Sequence, residues 1–375
     1  MRYLTAALVL ALATPAFADA PILGGTQATV GQYPTTVGVE VGQGGTCTGT
    51  LIAPDWVLTA AHCLTPSVIG EPDQTSLTQS VRVHLNTVNF ITTPGEVVTA
   101  SETIPDPLFN VNDLGHNDSG LIHLAHTVTD VQPQMINGDV SRAPVGIVVT
   151  QVGFGTTLPN AGGSVDIEYG VTGRTSVGCA QYSGGGATLS DANLLCFSQT
   201  DSKGKCEGDS GGPSFATING NIVEVGITSF GDGACTQYGA DTRVDAEIKF
   251  IRSHAPVITC KADSDCAMGH ECFANDCILT PFTMGGLGFT CTAGSDCESG
   301  TCTAGDGTMK CSQTCAVGQA NTCPSGFDCL AANNATTGAC WPSSGGGCCD
   351  SSGHGAPTAA LGIALCTLVL RRRKR

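Results

Sequence analysis

The chain has 375 residues, a formal net charge of −16 and 21 cysteines. That balance excludes binding to nucleic acid through phosphate contacts, and so many cysteines exclude a reducing cytosol as the working compartment. Six cysteines fall between Cys47 and Cys235 and fifteen from Cys260 onward, so two kinds of architecture are joined in one chain.

The amino terminus reads as an export signal. Arg2, the apolar run from Leu4 to Ala13 and the Ala16-Phe17-Ala18 triplet form the basic, hydrophobic and cleavage regions of a signal peptide over residues 1–18. Asp19-Ala20-Pro21 then stand as a short propeptide ahead of Ile22.

From Ile22 to about Val244 come short β-type runs, at 35–41, 49–60, 80–85, 146–155 and 221–231, separated by Gly, Pro, Asn and Asp. Many short strands with turn signals predict an antiparallel barrel or sandwich. One helical pattern, Asp245 to His254, closes this region, with Asp245 as its expected cap and Ile248, Phe250 and Ile251 facing a core. Pro256 ends it.

Three segments carry chemistry. Residues 58–63, LTAAHC, place His62 beside Cys63, and Cys47 lies sixteen residues earlier. Residues 116–124, HNDSGLIHL, put Asp118 at the head of an apolar run, a place for a carboxylate buried at a strand end. Residues 205–215, KCEGDSGGPSF, set Ser210 among Gly208, Gly211 and Gly212. Those glycines permit positive φ and a turn in which the amides of Gly208 and Ser210 converge on one point. His116, His123 and His126 with Asp113 invite a metal reading, but strand alternation sends His123 and His126 to opposite faces. No metal and no cofactor is expected.

TAAHC, NDSGLIHL and GDSGGP, in that order, resemble the trypsin-like serine peptidases of the chymotrypsin fold, over residues 22–255. The resemblance implies an all-β fold of two six-stranded antiparallel barrels with a C-terminal helix. It implies a triad of His62, Asp118 and Ser210, with the amides of Gly208 and Ser210 as the oxyanion hole. Ile22, once freed by an activating peptidase, would pair with Asp209; Pro21 stands where many relatives carry Arg or Lys. Phe154 replaces the tryptophan of a family Gly-Trp-Gly segment. The family's bridges map onto Cys47–Cys63, Cys179–Cys196 and Cys206–Cys235, using all six cysteines of the region.

The specificity pocket maps onto Gly204 at its floor, Ser229, Phe230 and Gly231 on the substrate-pairing strand, and Gly239 on a wall. With no carboxylate at Gly204, a preference for Arg or Lys loses its electrostatic basis, and the glycines suggest an open slot for a large apolar residue. Lys205 either turns inward, favouring an acidic residue, or points to water; water is expected, because burying an unpaired ammonium is costly.

Residues 260–340 change character, with a cysteine every few residues and few apolar runs. Cys260, Cys266 and Cys272 share their spacing pattern with Cys291, Cys297 and Cys302, which predicts a duplicated, irregular disulfide module of undetermined connectivity. Residues 341–355 form a Gly/Ser-rich linker, and 356–375 an apolar stretch ending in Arg371-Arg372-Arg373-Lys374-Arg375. At 15 residues the stretch Ala356–Leu370 is short for a permanent span, which needs roughly 20. This tail resembles myxobacterial carboxy-terminal sorting signals, which implies a processing enzyme acting near Cys348 or Cys349, transient membrane association and display on a bacterial outer surface. Asn117 and Asn334 begin N-x-S/T sequons.

The sequence thus predicts an exported or surface-displayed serine endopeptidase acting on proteins or peptides. The competing reading is a non-catalytic binding or adhesion protein that uses the same scaffold and the cysteine-rich module.

Overall fold

A computed structural model describes residues 22–156, 166–184, 188–305, 307–331 and 335–343. The signal peptide, Pro21, Asn334, Cys348, Cys349 and the basic tail lie outside the described residues.

The first barrel is closed by six antiparallel strands: β2 (Thr36–Val41), β3 (Gly45–Ala53), β4 (Trp56–Thr59), β5 (Arg82–Leu85), β6 (Glu96–Pro105) and β7 (Gly120–Leu124), after a short β1 (Thr26–Gln27). Val37, Val39 and Val41 alternate along β2 onto one face and are buried with Leu51, Val83 and Leu85, while the consecutive Val57 and Leu58 of β4 and Leu121 and Ile122 of β7 show those strands covered on both faces, all at most 1 % exposed. Each such side chain contributes roughly 1.5–3 kcal/mol by leaving water. Two short helices, α1 (Pro66–Ile69) and α2 (Gln74–Ser80), connect β4 to β5; Pro66 starts the first, and the Asp73 carboxylate caps the second by accepting from Ser76 N at 2.7 Å.

The second half runs through β8 (Met135–Ile136), β9 (Val148–Gly153), β10 (Tyr169–Thr175), β11 (Leu194–Ser198), β12 (Pro213–Ile218), β13 (Asn221–Gly231) and β14 (Tyr238–Arg243). These and β1 make one eight-stranded sheet in the order β1-β10-β9-β12-β13-β14-β11, with β8 beside β13. It is a half-barrel rather than the second closed six-stranded barrel expected. Met135, Val149, Leu195, Phe197, Val223 and Val225 fill its concave side.

Helix α3 (Val244–Arg252) follows directly. Ile248 and Ile251 are buried and Phe250 half-buried, as the periodicity predicts. Asp245 does not cap it: Asp245 lies in the first turn, pairs with the Arg243 guanidinium at 3.1 Å and accepts from Asn137.

The described chain falls into two compact units, divided between Ser312 and Gln313. The first holds the peptidase-like region together with residues 260–312, so the cysteine-rich segment is itself divided. Within that unit, hairpin β15 (His270–Phe273) with β16 (Asp276–Leu279) carries bridges Cys260–Cys272 and Cys266–Cys277, and hairpin β17 (Cys302–Gly305) with β18 (Thr308–Cys311) carries Cys291–Cys302 and Cys297–Cys311. In both, an aspartate just before the second cysteine gathers two amides: Asp265 takes Lys261 N and Ala262 N, and Asp296 takes Thr292 N and Ala293 N. The first of these modules is tied to the peptidase region by Arg252 Nη2 on Asp276 at 2.5 Å and by Asn221 on Asp265.

The second unit is a three-stranded sheet of β19 (Thr314–Ala316), β20 (Phe327–Leu330) and β21 (Thr337–Pro342) with bridges Cys315–Cys329 and Cys323–Cys340. First-to-third and second-to-fourth pairing therefore recurs three times, where the spacing pattern showed two copies. With so few apolar side chains, covalent closure supplies what a core would; each bridge of this span is worth roughly 3 kcal/mol.

Candidate active site

His62 opens a short 3-10 turn, His62–Leu64, at the end of β4. The Cys47–Cys63 bridge fastens this turn to β3. Asp118, two residues before β7, is fully buried. Its Oδ1 accepts from His62 N at 2.9 Å, its Oδ2 lies 2.8 Å from His62 Nδ1, and Ser229 Oγ donates to Oδ2 at 2.5 Å. Burial pushes the Asp118 pKa up, but the His62 imidazole and these hydrogen bonds outweigh it and hold the carboxyl below its ordinary value. The remaining edge of His62 is partly open to solvent, the side chain being 17 % exposed.

The serine turn is tied to the same β3 strand. Thr48 N donates to Ser210 O at 2.8 Å and Thr48 Oγ1 donates to Gly208 O at 3.0 Å, so residues beside Cys47 hold Ser210 next to the histidine turn. On its other side, Gly211 N donates to Thr228 O and Thr228 N to Gly212 O, which fixes the turn to β13. Gly208 has φ +89°. Gly211 has φ +81°, and a Cβ there would drive into Thr59 Oγ1 and Thr48 O.

Asp209, fully buried, turns away from Ser210. Its Oδ1 accepts from Gly155 N and its Oδ2 from Cys206 N, both at 2.8 Å. Gly153 and Gly155 flank it so closely that a Cβ at either would overlap the carboxylate. Phe154 between them is buried against Phe90, ring centroids 5.4 Å apart. Burial raises the Asp209 pKa to about 7 despite those two amides and the Lys205 charge. Ile22 is buried, and Leu23 pairs with Gly204 through Gly204 N on Leu23 O at 3.0 Å. Among the described residues, no hydrogen bond links Ile22 to Asp209.

Beside Ser210 opens a cavity of about 180 Å³. Ser229, Phe230, Gly231 and Gly239 line it, with Phe230 registered on Ala240 and Gly231 on Gly239. Lys205 also lines it, but not as expected: it is buried rather than turned to water. Its Nζ lies 3.2 Å from Asp241 Oδ1 and donates to Gly212 O at 3.1 Å. An ion pair offsets part of the cost that made burial unattractive. Burial pushes the Lys205 pKa down and Asp241, first among its partners, opposes that. Ser214 Oγ completes the group by donating to Asp241 Oδ2 at 2.5 Å.

Gly231 and Gly239, the glycines expected to leave an open slot, both line the cavity, whereas Gly204, the expected floor, does not: it pairs with Leu23 and packs against Gln199. Neither Gln199 nor Asp241 carries a local sequence signal; only the β11, β13 and β14 pairing brings Asp241 into the cavity lining and Gln199 behind it.

Cys179–Cys196 and Cys206–Cys235 are bridged, the first tying the 3-10 turn Cys179–Tyr182 to β11 and the second joining the serine turn to the loop before β14. His116, His123 and His126 each face a different carboxylate, Asp113 at 3.1 Å, Asp55 at 3.3 Å and Glu96 at 2.9 Å. The groups of neighbouring sulfur atoms, such as Cys47 and Cys63 near His62, belong to disulfides, so they offer no thiolates.

Residues 22–251 match the Trypsin family. Brachyurin of Leptuca pugilator is 31% identical over 243 residues, covering 63% of this chain and 99% of the relative. Chymotrypsin-like elastase family member 1 of Canis lupus familiaris is 27% identical over 253 residues, 63% of this chain and 92% of the relative. Its counterpart from Homo sapiens is 26% identical over 254 residues, with 63% and 92% covered.

Proposed function

Because the chain belongs to the trypsin family of serine peptidases, a family of hydrolases, we propose that His62, Asp118 and Ser210 form its catalytic triad and cleave peptide bonds through an acyl-enzyme. Ser210 Oγ attacks the peptide carbonyl while His62 accepts its proton, later returning it to the leaving amine. Asp118 holds the imidazole so that Nδ1–H faces the carboxylate, and it stabilises the imidazolium. The amides of Gly208 and Ser210 receive the developing oxyanion; losing one such donor costs on the order of 3 kcal/mol of barrier. The observation that carries this reading is the two-point hold of Asp118 on His62, on the same strand platform that Thr48 uses to fix the Ser210 turn.

Activation follows the buried state of Asp209. Release of Ile22 by another peptidase places an ammonium beside a carboxylate that burial otherwise keeps hard to ionise. Pro21 argues against a cut by a trypsin-like activator. Cleavage after Arg or Lys is not expected, since Gly204 offers no charge and Asp241 is already paired with Lys205.

Nine disulfides among the described residues fit an exported, extracellular protein. Removal of residues 1–18, processing at Cys348 or Cys349 and display on the cell surface complete the reading; the substrates are proteins or peptides. The test is fluorophosphonate labelling of the form that begins at Ile22. A single adduct on Ser210, lost in Ser210→Ala, is expected; a mature form without an adduct would overturn the enzyme assignment.

A further inference from the structure

Gln199, the residue after β11, is 1 % exposed and is not itself in the cavity wall; it packs behind Lys205, Cys235 and Gly239, which are. Its Nε2 donates to Lys205 O at 3.1 Å and to Cys235 O at 3.0 Å, one carbonyl on each side of the Cys206–Cys235 bridge. Two carbonyls can be met only by the NH₂ end of the amide, so the orientation is fixed by chemistry. Oε1 then faces the other way, with no hydrogen-bond partner. It lies 2.5 Å from where a Cβ would stand at Gly204 and 2.5 Å from where one would stand at Gly239. No side chain larger than hydrogen coexists with it at either position. On this side the two glycines make room for the amide.

We propose that Gln199 is a positioning residue for specificity that backs the pocket wall at Lys205, Cys235 and Gly239 and so fixes its depth, restricting the residue before the cut to short, uncharged side chains. The inference rests on the triad reading, since it assigns the pocket beside Ser210 to that residue. Length is limited because the amide occupies the volume between Gly204 and Gly239 and, through its two hydrogen bonds, ties the Lys205 and Cys235 backbones to each other. Charge is limited because the pocket's inner ion pair, Lys205 with Asp241, is complete. An entering Asp or Glu meets no free cation in the lining, and the two other carboxylates there serve an entering Arg or Lys poorly: Asp232 already accepts from the Thr236, Gln237 and Tyr238 amides, and Glu207 is exposed.

The experiment is a peptide panel with Ala, Val, Leu, Phe, Arg or Glu before the cut, run on the full mature chain and on three variants: Gln199→Ala, Gly239→Ala and the double variant. Rates are normalised to the fraction that takes up a fluorophosphonate, so misfolded protein drops out. Wild type should favour Ala and Val over Phe by at least tenfold in kcat/KM, with Arg and Glu lower still. Gln199→Ala should shift the Phe-to-Ala ratio by about tenfold or more, mostly through KM for Phe, the order expected for opening a hydrophobic pocket by a few methylenes. Gly239→Ala alone collides with Oε1 and should lose at least tenfold on every substrate, and Gln199→Ala in the same chain should restore most of it. An unchanged Phe-to-Ala ratio in Gln199→Ala, no rescue in the double variant, or a wild-type enzyme that cleaves best after Phe, Arg or Glu overturns the proposal. A wild-type chain that takes up no fluorophosphonate overturns the triad reading instead, and this inference with it.

Discussion

Asp118 grips His62 at two points, accepting from its backbone nitrogen at 2.9 Å and facing its Nδ1 at 2.8 Å, while Ser229 Oγ donates to the same carboxylate. The backbone contact fixes where the histidine sits; the ring contact fixes which nitrogen carries the proton. Asp118→Asn keeps the size and loses that control, because an NH₂ group facing Nδ1 favours the wrong tautomer. We expect kcat on a peptide substrate to fall by about 10⁴-fold, the figure known for this exchange in the trypsin family, with little change in KM. A loss below tenfold would mean that Asp118 does not set the tautomer.

Lys205 and Asp241 form a pair that is buried on both sides, their side chains 3% and 2% exposed. Removing one partner leaves an uncompensated charge inside the fold. Lys205→Met should therefore cost about 3–5 kcal/mol of unfolding free energy in a denaturant titration. Lys205→Met with Asp241→Asn should recover at least half, since Ser214 keeps a partner and the carboxylate that Lys205 directly pairs with is gone as well. A single-variant cost under about 1 kcal/mol would show that solvent reaches the pair.

These residues mark what a linear reading can and cannot reach. His62, Asp118 and Ser210 are legible because each sits in a local pattern: a strand end followed by a cysteine, a carboxylate heading an apolar run, a serine among glycines. The β-rich fold is legible for the same reason, since alternation and turns are short-range. Lys205 was expected in water because its partner is 36 residues away and lies on a strand, β14, whose pairing with β13 decides that they meet. Gln199 is harder still: its role depends on Gly204, Gly239 and two carbonyls that converge only after three strands have paired. Gly204, mapped to the pocket floor, and Gly239, mapped to a wall, do not by themselves show that an amide packs behind them, because a missing Cβ does not say what fills the gap. The third disulfide unit escaped notice because its first two cysteines, Cys315 and Cys323, are spaced eight apart, whereas the first two cysteines of the earlier units are spaced six apart.

Cys206–Cys235 closes a span of 29 residues and joins the serine turn to the loop whose carbonyl Gln199 holds. Replacing both cysteines by alanine should lower unfolding free energy by about 3.5 kcal/mol, the chain-entropy value for a loop of this size. Activity should fall in addition, because Cys206 N is one of the two amides on Asp209 and loses its tether. Denaturant midpoints and kcat/KM on one substrate check both; a stability loss with unchanged kcat/KM would mean that the turn is held without the bridge.

Glu168 lies at the foot of β10, its backbone paired on one side with Ala28 N and on the other with Val88 O. Its carboxyl is 2 % exposed and Oε1 has no hydrogen-bond partner. Burial alone pushes its pKa from 4.5 to about 9. The folded chain thus keeps a proton that the unfolded chain gives up at about 4.5. Its stabilising contribution is complete below that pH and disappears as pH rises through about 9. Glu168→Gln removes the ionisation and retains the shape. The Tm of wild type should decline against that of Glu168→Gln across pH 5, 7 and 9, the gap widening at each step, with the two closest at pH 5. Parallel curves over that range would mean that Glu168 ionises freely in the folded protein, and that its side chain reaches water.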